Sequence, residues 1–326
     1  MGDALAGYLR AQATEFLRSL RQHRETGAAA SGAGESGDAA RSLRRSARRI
    51  SGSLHTFRPL LDAEWSEGMR PELAWLSGTL AREHAYAARL ERLLGALNRL
   101  SGTAALPAQA GRAPATTPKG NLTVGAAKAG ALLDRQLTLA RTRAHSAALQ
   151  ALGSSRFHAV ADSVAVLASE VPLTPAADTT DLRPLAAAAQ DRLTDAVTGL
   201  PLVTAGHPYN AEALVHGLSA DTAPQPQDAP WHQVRLLLRL HRYAREVLHA
   251  GECPVDVRLL GAGQALNRHR DAAEAASAAA SAARTPRIAP ATAYALGVLH
   301  ADQRHEVEAA RFAFQQAWQK EAVRTP

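Results

Sequence analysis

The sequence RSLRRSARRI spans residues 41–50 and contains five arginines: Arg41, Arg44, Arg45, Arg48 and Arg49. Steps of three and four residues bring side chains onto one face of an α-helix, because the helix completes a turn in about 3.6 residues. The spacing predicts a helix over residues 38–57, with Asp38 as its N-cap and Pro59 beyond its end. This face of the helix is cationic, where an amphipathic pattern would ordinarily place apolar residues.

Repulsion among the five arginines of this stripe would be relieved by a partner of negative charge. Like charges three or four residues apart on a helix repel by about 0.2 to 0.5 kcal/mol per pair. No acidic residue lies between Asp38 and Asp62, so the neighbouring sequence supplies no countercharge. The pattern favours an anionic ligand, and the alternative interpretation is a solvated helix face, which charge runs usually form.

A second basic helix is predicted over residues 229–250, with Pro230 in its first turn. Its basic face is formed by His232, Arg235, Arg239, Arg242 and His249. Its apolar face is formed by Leu236, Leu240, Tyr243 and Val247. His232 should lie near the helix N-terminus, which favours anions, although a hydrogen-bonded histidine at the core margin is the alternative. We expect His241 and His249 at the surface.

The two basic helices form a weak internal repeat. Arg41, Arg44 and Arg48 correspond to His232, Arg235 and Arg239 at a constant offset along the chain. The Leu-x-Arg stretch that ends at Arg82 also matches one that ends at Arg268, although at a different spacing. These matches predict two related helical halves, residues 1–175 and 176–326, that meet in a proline-bearing stretch.

The remaining periodicity is helical throughout, and no segment alternates with period two for long enough to suggest a sheet. Loops are expected at 27–37, 101–120 and 200–228. Further helices are expected from the N-terminus to about 27, from Pro71 to about 100, and over 122–152, 153–171, 183–199, 254–283 and 290–320.

Composition limits the class of partner. The 326 residues carry 37 Lys and Arg against 30 Asp and Glu, a formal net charge of +7, and most of the cations are arginine. Arginine suits bidentate phosphate contacts, so a polyanion is favoured.

A single cysteine, Cys253, excludes an internal disulfide, and no apolar run approaches the roughly 20 residues of a membrane span. Without a secretory signal, we expect a cytoplasmic protein.

Other basic residues are weaker candidates for ligand contact. They are Arg82, Arg135, Arg141, Arg268 and Arg304. Acidic neighbours such as Asp134, Glu306 and Glu308 make ordinary exposed helix faces the favoured interpretation for the fourth and last helices, the latter also bearing Arg311.

Signatures of catalysis are largely missing from the sequence. It contains no phosphate-binding loop ending in Lys-Ser or Lys-Thr, no His-Glu-x-x-His and no Gly-x-Ser-x-Gly. His300 and His305 are five residues apart, so they fall on different helix faces and make a poor metal pair. We therefore expect no enzyme, no metal and no cofactor.

Three segments resemble the CHAD family, the conserved histidine α-helical domain. Residues 41–50, followed by FRPLL at 57–61, are similar to its first signature, although Arg41 stands where the family usually has histidine. LGSSRF at 152–157 resembles a further element and carries over Arg156. Residues 231–244 are similar to the second signature and keep His232.

This resemblance implies two pseudo-symmetric four-helix bundles whose basic helices face a central groove or pore. It also implies that the groove binds inorganic polyphosphate, and in some members directs the protein to polyphosphate granules. The residues that carry over are those of the two basic helices, together with Arg156.

Three other functions stay open. Nucleic acid shares the phosphate backbone, but the stripe lacks the aromatic and amide side chains that base recognition uses. A cationic groove could instead dock an acidic partner, such as a polyphosphate-metabolising enzyme. Finally, His232 could act in phosphate chemistry, although no second catalytic group is evident.

Overall fold

The computed structural model describes residues 2–28, 33–102, 121–207, 225–249 and 254–319, and these are helical almost throughout. The α-helices are α1 (Gly2–Ala28), α2 (Ala33–Thr56), α3 (Ala63–Leu100), α4 (Asn121–Leu152), α5 (Ser155–Ser169), α6 (Arg183–Thr198), α7 (Leu202–Ala205), α8 (Ala229–Leu248), α9 (Val257–Ala283) and α10 (Pro290–Gln319). Short 3₁₀-helices occupy Arg58–Leu60, Pro175–Asp178 and Pro226–Asp228. Within these ranges the β-structure consists of one isolated bridge between Leu61 and Leu173, so the predicted all-α class is confirmed.

The chain divides into two compact units, each assembled from three segments. The first unit comprises Met1–His84, Thr142–Thr198 and Leu236–Val255. The second unit comprises Ala85–Arg141, Gly199–Arg235 and Asp256–Pro326. Helices α3, α4 and α8 therefore contribute residues to both units. The predicted halves, 1–175 and 176–326, stay a prediction, as do their pseudo-symmetry and the central groove or pore.

The core of the first unit is built around the apolar faces of α1 and α2. Leu43, Ala47, Ile50 and Leu54 recur at helical spacing along α2, and all four are fully buried. Leucine and phenylalanine side chains of α1 and α5 join the same cluster. Burying such side chains contributes about 1.5 to 3 kcal/mol each, which fixes the rotation of α2 about its axis.

In the second unit, small side chains pack α9 against its neighbours. Ala275, Ala279 and Ala282 of α9 are fully buried in one cluster with Leu296 and Leu299 of α10. Because alanine carries a single methyl group, the helix backbones can approach closely. This unit therefore relies on an alanine-rich interface.

Most helix boundaries agree with the sequence, but α3 begins earlier than predicted. The sequence suggested a start at Pro71, whereas the helix begins at Ala63 and continues through that proline. The Oδ1 of Asp62 accepts a hydrogen bond from the backbone N–H of Trp65 at 2.8 Å and so caps the helix. Burial of Met69 and Leu73 on either side of Pro71 offsets its missing hydrogen bond.

The predicted connections are only partly within the described residues. The linker expected at 27–37 is shorter than predicted, since α1 extends to Ala28 and α2 starts at Ala33. Residues 103–120 and 208–224, which make up most of the two predicted loops, lie outside the described residues, as does Cys253. Helix α5 is capped by Ser154, whose Oγ accepts a hydrogen bond from Phe157 N at 3.2 Å.

Candidate functional site

Helix α2 carries the predicted arginine stripe on the side away from its buried face. Arg41 and Arg45 are exposed, while Arg44 and Arg48 are half-buried. Asp38, predicted as the N-cap, lies inside the helix and forms an ion pair with Arg41 one turn later. The helix is thus anchored by its apolar side and presents guanidinium groups on the other.

Arg49, the last arginine of the stripe, pairs with a carboxylate of α8. Its Nε donates to Glu246 Oε2 at 2.7 Å, and its Nη2 donates to Oε1 at 3.3 Å. The hydroxyl of Tyr8 donates to the same Oε2 at 2.7 Å. Arg242 Nε lies 3.5 Å from Oε1. The carboxylate of Glu246 on α8 therefore pairs with one arginine from each basic helix.

The electrostatics of this cluster keep Glu246 ionised. Burial alone would raise the pKa of Glu246, but the hydrogen bonds from Arg49 and Tyr8 outweigh it and hold that pKa below its usual range. Burial and the adjacent Glu246 charge raise the pKa of Tyr8 well above that of an ordinary tyrosine. The phenol therefore stays protonated and can donate to the carboxylate.

The close approach of α2 and α8 in the first unit occurs at Gly52. A Cβ atom at this position would lie 2.6 Å from Cδ2 of Tyr243, so no larger residue fits without rearrangement. The Tyr243 ring also receives the guanidinium groups of Arg49 and Arg242, whose Cζ atoms lie 5.9 and 5.4 Å from its centroid. Both arginines are consequently held in defined positions.

The apolar face predicted for α8 is only partly correct. Leu240, Tyr243 and Val247 are buried, but Leu236 is 44% exposed. His241, expected at the surface, is buried at 7% exposure, so that prediction is wrong. Its position on α8 lies between the buried Leu237 and Ala244, one turn away on either side, and this shared face explains the burial.

Arg156 of α5 also has an internal partner. Its Nε and Nη2 donate to the two oxygens of Glu72 at 2.6 and 3.0 Å. Its guanidinium lies 4.1 Å from the ring centroid of Trp75, within the range of a cation–π contact. The residue is exposed, so the ion pair is screened by solvent and can open readily.

His232 and Arg235, at the start of α8, belong to the second unit and are half-buried. Nε2 of His232 is buried and has no hydrogen-bond partner among the described residues. Its ring lies edge-on to that of His269, with centroids 5.5 Å apart. Burial lowers the pKa of His232, so the imidazole is neutral near pH 7.

Behind His232 lies a buried ionic network centred on Asp228. Arg304 donates to both of its oxygens, at 2.8 and 3.2 Å, and Arg311 donates to Oδ1 at 2.6 Å. Arg311 also donates to Glu308 at 2.7 Å and, through Nε, to Nε2 of His269 at 3.3 Å. The side chains of Asp228, Arg304 and Arg311 are only 2 to 5% exposed.

Burial and pairing shift the ionisation of this network. Burial would raise the pKa of Asp228, but His269 and the hydrogen bonds from Arg304 hold it well below its usual range. Burial lowers the pKa of His269 to about 4. Near neutral pH the network therefore contains an ionised aspartate, two arginines and a neutral imidazole that can accept from Arg311.

Arg304 and Arg311 were expected on an exposed helix face, and that expectation is wrong. They are seven residues apart and share the side of α10 that packs into the second unit, where Asp228 pairs with both and Glu308 pairs with Arg311. Arg304 is thereby removed from the candidates for ligand contact. The other weaker candidates, Arg82, Arg135, Arg141 and Arg268, are exposed.

Sequence reasoning missed Glu246 and Tyr8. Glu246 falls in the register of the basic face of α8, four residues after Arg242, and this spacing was a usable signal. Tyr8 lies on a different helix, far along the chain, and no sequence signal connected it to Arg49.

The described ranges contain neither a cluster of metal ligands nor a helix suited to a membrane. No group of three or more histidine, cysteine, aspartate or glutamate side chains there could hold a metal ion. Nδ1 of His300 instead lies 3.0 Å from the carbonyl oxygen of Ala276. In the same ranges, every helix is too short or too polar to cross a bilayer.

These features define an all-α protein in which two arginine-bearing helices meet around a carboxylate. The sequence model of the CHAD domain matches residues 11–251, and the chain belongs to this family. A solved structure, PptA from Streptomyces chartreusis, is similar with 73% sequence identity and a TM-score of 0.82. That similarity covers 98% of this chain and 99% of the other. No curated protein matches the sequence.

Proposed function

We propose that this protein binds inorganic polyphosphate through the arginines of α2 and α8. The observation that carries the proposal is the anchoring of α2, whose apolar face is fully buried while Arg41, Arg44, Arg45 and Arg48 lie on the opposite side. Membership of the CHAD family supports polyphosphate as the polymer, because the resemblance of the signature segments implies that ligand.

The chemistry of the ligand suits this arrangement. Arginines one turn apart on a helix are separated by about 5.4 Å along its axis, so a linear polymer can meet several of them in succession. Guanidinium groups form bidentate, charge-assisted hydrogen bonds to phosphate oxygens. Each contact releases condensed counterions, and affinity should fall steeply as salt rises.

The proposed contact residues lie on the basic faces of α2 and α8 and at the start of α5. In the first unit they are Arg41, Arg44, Arg45, Arg48, Arg239 and Arg242, with Arg156 as a further contact. His232 and Arg235 extend the basic face along the first turns of α8. Arg49 is left out, because it donates two hydrogen bonds to Glu246 and is 23% exposed, whereas the side chain of Arg242 is 51% exposed.

The proposal is for a binding protein without catalytic activity, and targeting to polyphosphate granules is part of it. Docking of an acidic protein partner on the same arginines is the alternative role. A binding role needs only the positioned cations, whereas phosphate chemistry at His232 would also need a group to activate or stabilise the reacting phosphate.

The test is a calorimetric titration of the purified protein with long-chain polyphosphate at two salt concentrations, with single-stranded DNA and RNA of matched length as competitors. We expect salt-sensitive binding that nucleic acid does not displace. Equal displacement by DNA or RNA would favour the nucleic-acid interpretation, and absence of binding would contradict the proposal.

Charge reversal gives the corresponding mutational test. The R44E/R48E variant should bind polyphosphate roughly 100-fold more weakly, because two phosphate contacts become repulsive. Its matched control is R21E/R24E, which makes the same change in net charge at exposed positions of α1 in the same unit. The control should bind within a few-fold of the wild type, and equal losses in both variants would remove α2 from the site.

A further inference from the structure

Glu246 occupies a position that belongs to the basic face of α8. His232, Arg235, Arg239, Arg242 and His249 follow one another by three, four, three and seven residues, and Glu246 fills the gap in the last step. A carboxylate thus lies within a row of cations, where it opposes the binding of an anion. Its presence there requires a physical explanation.

The contacts of Glu246 are those expected of a bound phosphate group. Two nitrogens of Arg49 donate to its two oxygens, Tyr8 adds a third hydrogen bond, and Arg242 approaches from the same helix. The side chains are largely buried, at 23% exposure for Arg49 and 16% for Glu246. The two carboxylate oxygens accept hydrogen bonds from two guanidinium nitrogens of Arg49, which is the bidentate geometry that a phosphate would use.

We propose that Glu246 is a built-in competitor of the anionic ligand. Its ion pair with Arg49 prevents that residue from contacting the ligand, and its ion pair with Arg242 partly offsets the positive charge there. Glu246 thereby lowers the affinity of the first unit for polyphosphate. This inference rests on the proposed function. It identifies a residue that sets affinity without contacting the polymer.

A purely structural ion pair makes a different prediction. If the pair only held α2 against α8, removing the carboxylate would loosen the unit and weaken binding or leave it unchanged. If Glu246 competes with the ligand, removing its charge frees Arg49 and Arg242 and strengthens binding. The sign of the change in affinity separates the two roles.

The first experiment titrates the full-length E246Q variant with long-chain polyphosphate at several salt concentrations. We expect affinity to rise about three- to tenfold, with the slope of log K against log salt steeper by nearly one unit for each cation released. E67Q is the matched control, because Glu67 pairs with Arg58 at an exposed position of the same unit and lies outside the proposed contacts. It should give an increase of less than twofold.

The second experiment removes the whole pair with the R49Q/E246Q variant, which keeps the net charge of the wild type. If Arg49 is withheld from the ligand, this variant should bind polyphosphate at least as tightly as the wild type, because removal of Glu246 also releases Arg242. A loss of tenfold or more would show that Arg49 contacts the polymer, and the inference would be overturned. This outcome can be measured even where E246Q alone fails to fold.

The outcomes distinguish this inference from the proposed function. Wild-type binding that is weakened by R44E/R48E but unchanged or reduced in E246Q would overturn the role of Glu246 and leave polyphosphate binding standing. A wild-type protein that does not bind polyphosphate would overturn both. Tighter binding by E246Q, together with binding by R49Q/E246Q that is at least as tight as that of the wild type, supports the role.

Discussion

Glu246 in the first unit and Asp228 in the second unit each pair with two arginines, and the two carboxylates differ in what surrounds them. Glu246 in the first unit is paired with Arg49 and Arg242 at a partly accessible position on a basic helix. Asp228 in the second unit is paired with Arg304 and Arg311 in a network closed to solvent. Similar pairs of charges therefore lie at a partly accessible position in one unit and in the core of the other.

Burial decides which role such a cluster can have. The group at Glu246 keeps some contact with solvent, since the side chains of Glu246, Arg49 and Arg242 are 16, 23 and 51% exposed. At Asp228 every charge has been removed from water, and each depends on its partners for compensation. Arginine clusters in this protein can be assigned to ligand binding only after their internal carboxylates are known.

The D228N variant gives the strongest test of the difference between the Asp228 and Glu246 clusters. It leaves two buried guanidinium groups short of a countercharge, and removing one partner of a buried ion pair typically costs about 3 to 5 kcal/mol. Urea denaturation followed by far-UV circular dichroism should show a loss of this size in the free energy of unfolding. E246Q should lose clearly less, and a D228N protein as stable as E246Q would contradict the distinction between the two clusters.

The pH dependence of stability should follow His269. Its pKa of about 4 lies below the ordinary value of about 6.5, so the unfolded chain takes up a proton that the folded protein does not. Stability is therefore greatest above pH 6.5 and falls by about 3 kcal/mol as the pH drops to 4. Below that, protonation of Asp228 in the unfolded chain adds a further loss, because its folded pKa is also depressed.

The control for this titration is H269Q, measured by urea denaturation between pH 7 and 4. His55 and His232 also have lowered pKa values, so the slope should become shallower without disappearing. A wild-type profile that is flat in this window would contradict the buried, neutral state of His269.

A smaller effect is expected from Y8F, which sharpens the account of the Glu246 cluster. The phenylalanine ring keeps the packing of Tyr8 in the core, while Glu246 loses one of its hydrogen bonds. A hydrogen bond to a charged group contributes about 1.5 kcal/mol, so the thermal midpoint should fall slightly. Equal midpoints for Y8F and the wild type would mean that Tyr8 does not support the carboxylate.

Local spacing made much of this structure predictable. The cationic face of α2 and the helix boundaries of α5, α6, α8, α9 and α10 follow from periodicity and capping residues within short stretches. The start of α3 differs from the prediction because Pro71 suggested a first turn, whereas Asp62 caps the helix nine residues earlier. Glu246 was visible in the register of α8.

Long-range pairing was not predictable from one sequence. Asp228 and Arg304 are 76 residues apart, and no local pattern connects them. The acidic neighbours of Arg304 suggested a solvated face, whereas the packing of α10 buries it. The proposed ligand came from resemblance to the CHAD signatures, because charge and periodicity alone predict an anion without naming it.

The match to the family ends at residue 251, and this limit falls across the network around Asp228. A fragment cut at that boundary would retain the aspartate but lose Arg304, Arg311 and His269, which α9 and α10 contribute. The segment that matches the family model is thus shorter than the segment needed to give Asp228 its ion-pair partners. Truncated versions of this protein should extend through α10.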